Sequence, residues 1–138
     1  MAITKSYVDE LSYKIMGAVI EVHKHLGPGL LESVYHHCLT RGFDLQGINY
    51  SSEHFIPIDY KGVNVSADLR CDFLVENSIV LELKAVKEFE PIFTAKVLTY
   101  MNLLETPKGI LVNFNVTNIM QKGNKSFVND LYRQLPED

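Results

Sequence analysis

The sequence predicts an α/β protein in which helices flank a small mixed β-sheet. Apolar residues first recur at spacings of three and four, which is typical of amphipathic helices, and the pattern then changes to the alternation of strands. After the strands, another helical pattern at residues 92–104 precedes the apolar run 109–114. This order indicates that residues 109–114 form a central strand, parallel to a neighbouring strand of the sheet. A polar loop over residues 118–125 and a last helix near residues 127–135 are expected at the end. The order helix, helix, three strands, helix, strand, helix fits this class.

Composition sets the general class of the protein. The length of 138 residues predicts a single domain over residues 1–138, with an apolar fraction of 46% that is ordinary for a globular protein. No apolar run reaches the roughly 18 residues of a membrane span, so we expect none. Residues 1–10 lack a secretory pattern, and Cys38 and Cys71 form no metal or redox motif. We therefore expect a reducing cytoplasm as the setting.

The net charge limits the ways in which the protein can bind nucleic acid. The net charge of −4 argues against a protein that binds nucleic acid by charge alone. It leaves open a nuclease whose acidic pocket holds a divalent cation. Five lysines are candidates for a local basic rim, although scattered, solvated lysines are the simpler interpretation: Lys87, Lys96, Lys108, Lys122 and Lys125.

Two helices are expected before the sheet. The first covers residues 6–26, with Ser6 as its N-cap, and the Gly-Pro-Gly turn at residues 27–29 ends it. The second covers residues 30–46 and has Glu32 in its first turn, where a carboxylate suits the helix dipole. That common role is the simplest interpretation of Glu32.

Three strands in two hairpins are expected next. The first strand covers residues 55–60, and a tight turn at residues 61–62 leads into a long second strand over residues 63–75. A turn at residues 76–78 leads into the third strand over residues 79–86. The third strand is the element around which the rest of the chain is expected to be organised.

The third strand carries two charged residues in an otherwise apolar run. Because successive strand side chains alternate between faces, Glu82 and Lys84 lie on the same face. Charged residues rarely enter a buried strand unless they are paired or bind an ion. A structural ion pair is one interpretation of these residues, and half of a functional site is the other.

Asp72 supplies the other half of a site if the hairpin register brings it opposite Glu82. A three-residue loop at residues 76–78 places both carboxylates on one face, about 5 Å apart at Cβ. A two-residue loop pairs Asp72 with Leu81 and places the acids on opposite faces, since a slip of one residue reverses every side chain. The register therefore decides between a shared site and two unrelated acids.

Two facing carboxylates and a lysine suit the hydrolysis of phosphodiester bonds. Facing carboxylates repel each other unless a proton or cation lies between them, and Mg²⁺ and Mn²⁺ prefer oxygen ligands of this kind. Lys84, two residues along the strand from Glu82, is placed to orient or deprotonate a water molecule or to contact a phosphate. These parts suit metal-assisted hydrolysis.

The motifs around these acids resemble a known family. Residues 29–35 read Gly-Leu-Leu-Glu-Ser-Val-Tyr, and Asp72 is followed by the Glu-Leu-Lys of residues 82–84. Together with the turn at residues 60–62 and the strand at residues 111–114, they resemble the GxxExxY protein family, a branch of the PD-(D/E)xK nuclease-like superfamily. The resemblance covers about residues 8–115.

The resemblance implies a fold and a set of site residues. The fold is a restriction-endonuclease-like core with the order αβββαβ. Glu32, Asp72 and Glu82 would bind Mg²⁺ or Mn²⁺, and Lys84 would be catalytic together with Asp72 and Glu82. Tyr35 would pack or hydrogen-bond beside this site as part of the substrate-binding set.

The helix after the third strand completes the substrate-binding set. Related nucleases often carry a Gln-x-x-x-Tyr motif there, and the corresponding residues are Lys96 and Tyr100, which share a helix face. Lysine can contact a phosphate but cannot accept a hydrogen bond as glutamine does. A second departure from the family pattern is Cys71, which stands before Asp72 where proline is common.

Two functional hypotheses follow. The first is a Mg²⁺-dependent endonuclease or exonuclease that acts on DNA, with dimerisation as one way for a small domain to grip a duplex. The second is a nuclease-fold module without catalysis that binds nucleic acid or another protein, which Lys96 and the acidic net charge favour. The three acids Glu32, Asp72 and Glu82, together with Lys84, favour the first. The histidine pair His36 and His37 is interpreted as solvated helix surface.

Overall fold

The computed structural model of the chain describes residues 3–65 and 68–138. Its main feature is a five-stranded mixed sheet with the strand order β1-β4-β5-β6-β7, and β2 and β3 form a separate two-stranded sheet. The predicted α/β class is confirmed. The elements in chain order are α1 (Lys5–Leu26), α2 (Glu32–Gln46), β1 (Tyr50–Phe55), β2 (Ile58–Tyr60), β3 (Val63–Val65), β4 (Arg70–Val75), β5 (Ile79–Lys84), α3 (Pro91–Leu104), β6 (Lys108–Asn113), α4 (Ile119–Lys122), β7 (Asn124–Val128) and α5 (Asp130–Arg133).

The first helix is confirmed, but its N-cap differs from the prediction. Thr4 has an extended backbone, and its Oγ1 accepts a hydrogen bond from the Tyr7 N–H at 3.0 Å. Thr4 rather than Ser6 therefore caps α1, because a capping side chain must reach an amide two or three residues inside the helix.

The second helix begins two residues later than predicted. Leu31 is extended, with φ −72° and ψ 148°, so Glu32 is the first helical residue. The loop before it is held by Tyr35, whose hydroxyl donates to the Gly27 carbonyl at 2.6 Å and accepts from the Leu30 N–H at 3.2 Å. These bonds fix the position of Glu32 relative to the end of α1.

Two of the predicted strands are divided in the structure. The stretch at residues 55–60 is split between β1 and β2, and the stretch at residues 63–75 is split between β3 and β4, which belong to different sheets. Pro57 accounts for the first division, because proline has no N–H for a ladder. Residues 66–67, inside the second stretch, lie outside the described residues. The predicted turn at residues 61–62 is confirmed between β2 and β3.

The β4–β5 hairpin has the register that the three-residue loop predicts. Val75 pairs with Ile79, and Phe73 pairs with Leu81. The Ser78 N–H closes the turn on the Val75 carbonyl at 2.9 Å. β5 then pairs with β6 in parallel across the α3 crossover, as predicted.

The end of the chain differs most from the prediction. The expected loop contains the short helix α4, and the expected last helix is replaced at its start by β7, which pairs antiparallel with β6. Only the four residues of α5 are helical beyond it. β6 offers a second edge for hydrogen bonding, and that partner decides the backbone of residues whose side-chain pattern alone fits a helix.

The sheet separates two apolar layers. The α1/α2 layer lies on one face and includes Phe73 and Leu81, and the α3 layer lies on the other and includes Val80 and Leu111. Full burial of each such side chain stabilises the fold by about 1.5–3 kcal/mol. Within the described part of the chain, no helix is long and apolar enough to cross a bilayer.

Candidate active site

The candidate site lies where β4 and β5 stop pairing. The regular ladder ends at Phe73 and Leu81, and beyond it each carboxylate bonds to the opposite backbone. The Asp72 N–H donates to Glu82 Oε2 at 2.5 Å, and the Leu83 N–H donates to Asp72 Oδ2 at 2.7 Å. The two acids therefore lie against each other across the hairpin.

The backbone of β4 is irregular at Asp72. Cys71 and Leu74 both pack in the α3 layer, whereas Phe73 packs in the α1/α2 layer, so the alternation of faces is interrupted at Asp72. The residue across the β1–β4 ladder is Glu53, which has φ 49°, a value that non-glycine residues rarely adopt. This irregularity lets Asp72 contact Glu82 and also line a cavity beside α2.

Burial disfavours the ionised form of both carboxyl groups, and the charge of Asp72 disfavours it further at Glu82. Burial and then the charge of Asp72 raise the pKa of Glu82 to about 8, against the opposing effects of the Asp72 N–H and Lys84. Burial also raises the pKa of Asp72, opposed first by the Leu83 N–H bond and then by His36 and Lys84. A pair of this kind fits a divalent cation, which would supply the missing positive charge.

Lys84 does not form the ion pair that was one interpretation of its strand. Both Glu82 and Lys84 are described, and no salt bridge joins them. The Lys84 Nζ instead lies 4.5 Å from the centroid of the Phe93 ring, at the start of α3. The amine is therefore held close to the acid pair without being bound to it.

Glu32 and Asp72 both line a cavity of about 600 Å³ beside α2 and β1. Burial raises the pKa of Glu32, the charge of Asp72 raises it further, and Lys84 opposes both. In the described ranges 3–65 and 68–138, no three His, Cys, Asp or Glu side chains are grouped closely enough to form a ready metal site. The structure thus brings Asp72 and Glu82 together, and Glu32 lines the same cavity as Asp72.

The predicted substrate-binding residues lie in different environments. Tyr100 is buried beside the acids, and burial followed by the charge of Glu82 raises its pKa. Lys96 is exposed one helical turn before it. Tyr35 is fully buried and stacks on Phe114 at a centroid distance of 4.3 Å, and its hydroxyl bonds to the backbone of the preceding loop. We therefore propose a positioning role for Tyr35.

His36 belongs to the site, although its sequence position was interpreted as solvated helix surface. It is half-buried and lines the cavity, its Nε2 lies 2.7 Å from Ser52 Oγ, and its ring stacks on Phe73 at 4.3 Å. The prediction was wrong for His36, while His37 is exposed. A spacing of four residues from Glu32 puts both on one helix face, and that signal was present in the sequence.

The fold and this site define a class of protein. A mixed sheet flanked by helices, with two acids across a diverging hairpin and a lysine two residues on, is a restriction-endonuclease-like arrangement. The family model described as PD-(D/E)XK nuclease superfamily matches residues 9–126, and the chain belongs to that superfamily. Membership indicates a nuclease-type function with nucleic acid as the partner, and nucleases of this superfamily usually use divalent metal ions. Comparisons with curated proteins and with solved structures find no match.

Proposed function

We propose that the chain is a metal-dependent nuclease that hydrolyses phosphodiester bonds in DNA. The observation that carries this proposal is the pair of buried carboxyl groups, Asp72 and Glu82, which share one site and whose pKa values are both raised by burial. These two residues would hold Mg²⁺ or Mn²⁺, with Glu32 contributing from the cavity that it lines together with Asp72.

The reaction is the hydrolysis of one phosphorus–oxygen bond. A water oxygen bonds to phosphorus, the bond to the leaving oxygen breaks in line with it, and one proton of the water passes to the leaving oxygen. The cation, when bound, stabilises negative charge on the phosphoryl oxygens and makes water a better nucleophile. The Lys84 ammonium orients the water and contacts a phosphoryl oxygen. Lys96 and Tyr100, on the same flank of α3, hold the substrate strand.

The finer assignment within the superfamily is the GxxExxY family, which residues 29–35 and the Asp72…Glu-Leu-Lys set support. We propose a reducing cytoplasm as the setting, and the two free cysteines, Cys38 and Cys71, are consistent with it. Dimerisation on a duplex is part of the same proposal.

A second candidate function is a nuclease-fold module that binds without catalysis. It is favoured because no three potential ligands form a ready metal group within residues 3–65 and 68–138, and because a lysine stands at position 96 in place of a hydrogen-bond acceptor. The two candidates differ in whether a divalent cation produces cleavage.

Cleavage of DNA during a titration with Mg²⁺ or Mn²⁺ separates the candidates. Single-stranded, linear double-stranded and covalently closed circular DNA are the substrates, and cutting of the closed circle identifies an endonuclease. We expect Asp72→Asn and Lys84→Met to lose at least about a hundredfold in rate, as loss of an electrostatic group at a reacting centre usually does. Asp59→Asn, on the separate β2–β3 sheet, and Lys14→Met, on the surface of α1, are the matched controls.

The outcomes are distinct. Cleavage that requires metal, disappears in both site variants and survives in both controls supports the nuclease. Binding of DNA with no cleavage at any metal concentration points to the module. Cleavage that persists in both Asp72→Asn and Lys84→Met would contradict the assignment of these two residues to the active site.

A further inference from the structure

Strand β7 places a lysine in the same row of the sheet as the acid pair. Glu82 pairs with Leu111 on β6, and Leu111 pairs with Lys125 on β7. Paired residues point to the same face of a sheet, and Leu111 packs in the α3 layer, so Lys125 also lies on the α3 face. Two strand spacings put its Cα about 10 Å from that of Glu82, within the range of one bound nucleic-acid strand.

Two lysines on this face rest on phenylalanine rings. The Lys84 Nζ lies 4.5 Å from the Phe93 centroid, and the Lys125 Nζ lies 5.0 Å from the Phe89 centroid. Both rings pack against the α3 layer, which fixes their positions. We call Lys84, Phe89, Phe93 and Lys125 the lysine–phenylalanine ledge.

The charges of the ledge are not neutralised within the described chain. Neither lysine forms a salt bridge with any residue in the ranges 3–65 and 68–138. The α2 side of the acid pair is different, because its cavity carries the carboxylates of Glu32 and Glu53. A polyanion that reaches the acid pair therefore meets positive charge on the α3 side and negative charge on the α2 side.

We propose that the lysine–phenylalanine ledge binds the sugar–phosphate backbone of the nucleic-acid strand as it leaves the Asp72–Glu82 pair. This inference rests on the proposed nuclease function and adds the path of the substrate and a binding role for Lys125. The rings hold the ammonium groups in place, so less side-chain entropy is lost when a phosphate binds. The neighbouring acids Glu88 and Glu90 are exposed in the β5–α3 connection, and their charge opposes the binding of a phosphate there.

Lys122 provides a control three residues away. It is exposed in α4, whose Ile119 packs in the α1/α2 layer on the opposite face of the sheet. The sequence placed Lys122 and Lys125 in one set of candidate lysines, and the structure separates them by face. Lys122→Gln therefore removes the same charge without touching the ledge.

The test measures binding rather than cleavage. Fluorescently labelled single-stranded DNA is titrated at several NaCl concentrations with the full chain carrying Asp72→Asn, which prevents turnover. We expect the added Lys125→Gln change to weaken binding about three- to fivefold at low salt and to lower the slope of log affinity against log salt by about 0.7, the value of one phosphate contact. Phe89→Leu keeps an apolar side chain and should show a smaller loss. Lys122→Gln should match the parent, and thermal melts confirm that all variants fold.

Each outcome decides the inference separately from the nuclease proposal. A loss of affinity and slope with Lys125→Gln but not Lys122→Gln supports the ledge, even if the parent never cleaves DNA. Equal effects of the two changes, an unaltered slope, or no DNA binding by the parent would overturn it. Metal-dependent cleavage together with an unaltered slope would leave the nuclease proposal standing and remove the ledge alone.

Discussion

Glu82 is the residue whose chemistry is changed most by the fold. In the unfolded chain its carboxyl group titrates near 4.5, and in the folded protein burial and Asp72 raise that pKa to about 8. The folded state therefore binds this proton more tightly than the unfolded chain does. Ionisation of Glu82 in the metal-free protein costs folding free energy, and stability must fall as pH rises between the two values.

The first prediction concerns this pH dependence. In EDTA, the free energy of unfolding should fall by on the order of 1–3 kcal/mol from about pH 5 to about pH 8, and Glu82→Gln should remove most of that fall. Urea unfolding at each pH measures it. Glu10→Gln, an exposed acid on α1, is the control and should keep the full dependence. An identical pH profile for Glu82→Gln and the parent would contradict the raised pKa.

Tyr35 provides a second prediction at the same scale. Tyr35→Phe keeps the stack on Phe114 and removes both hydroxyl bonds to the Gly-Pro-Gly-Leu loop, so stability should fall by about 1–2 kcal/mol. Chemical denaturation checks the value. Tyr13→Phe, at a side chain that is 81% exposed, should change stability by less than about 0.5 kcal/mol. Equal effects of the two changes would mean that the loop is not held by the hydroxyl.

At the scale of elements, the site depends on how closely α3 packs on β6. Gly109 allows that approach, because a Cβ at this position would lie 2.6 Å from Val97 Cγ1 and 2.7 Å from Met101 Sδ. The same helix carries Phe93 beneath Lys84 and Tyr100 beside the acids. A shift of α3 therefore moves groups of the site as well as the core.

The third prediction is that Gly109→Ala costs stability and activity together. Overpacking against Val97 and Met101 should destabilise the fold by about 1–3 kcal/mol. The rate of metal-dependent cleavage should also fall at temperatures where the variant is fully folded, because α3 is displaced. Gly17→Ala is the control: its Cβ would meet nothing within 4 Å, and it should gain about 0.5–1 kcal/mol in helix α1. Full activity of folded Gly109→Ala would separate α3 packing from the site.

At the scale of the whole molecule, the acid pair and the net charge of −4 make a bound cation a source of stability. A ligand that binds only the folded state stabilises it in proportion to the logarithm of its concentration over its dissociation constant. The buried acids lower the stability of the metal-free fold, and they raise its stability when they bind a cation. Binding of the catalytic cation and stability of the fold are therefore coupled through Asp72 and Glu82.

The fourth prediction follows from that coupling. Millimolar Mg²⁺ or Mn²⁺ should raise the melting temperature of the parent by several degrees, and Asp72→Asn should lose most of the rise. Asp59→Asn should keep it. Differential scanning calorimetry against metal concentration gives the measurement, with Na⁺ at equal ionic strength to exclude general screening. A rise of the same size in Asp72→Asn would place the cation elsewhere.

Local sequence patterns predicted much of the fold, but they did not predict the strands at the two edges of the main sheet. The spacing of apolar residues identified α1 and α2, and the length of the 76–78 loop gave the hairpin register, because both signals act between near neighbours in the chain. Strands β1 and β7 were missed. β1 is a polar edge strand, and β7 has a side-chain pattern that also fits a helix, so each takes its conformation from the strand beside it.

The sequence by itself determined the α/β class, the helices α1 and α2 and the register of the β4–β5 hairpin, because apolar spacing and turn length are properties of short segments. The contact between Asp72 and Glu82 depends in addition on the irregular backbone at Asp72. The tertiary structure decided what surrounds that pair. It brought the helix face that carries Glu32 and His36 to the cavity that Asp72 lines, and it brought Lys125 into the row of Glu82. These relations join helices and strands that are distant in the chain, and they depend on packing and pairing between those elements.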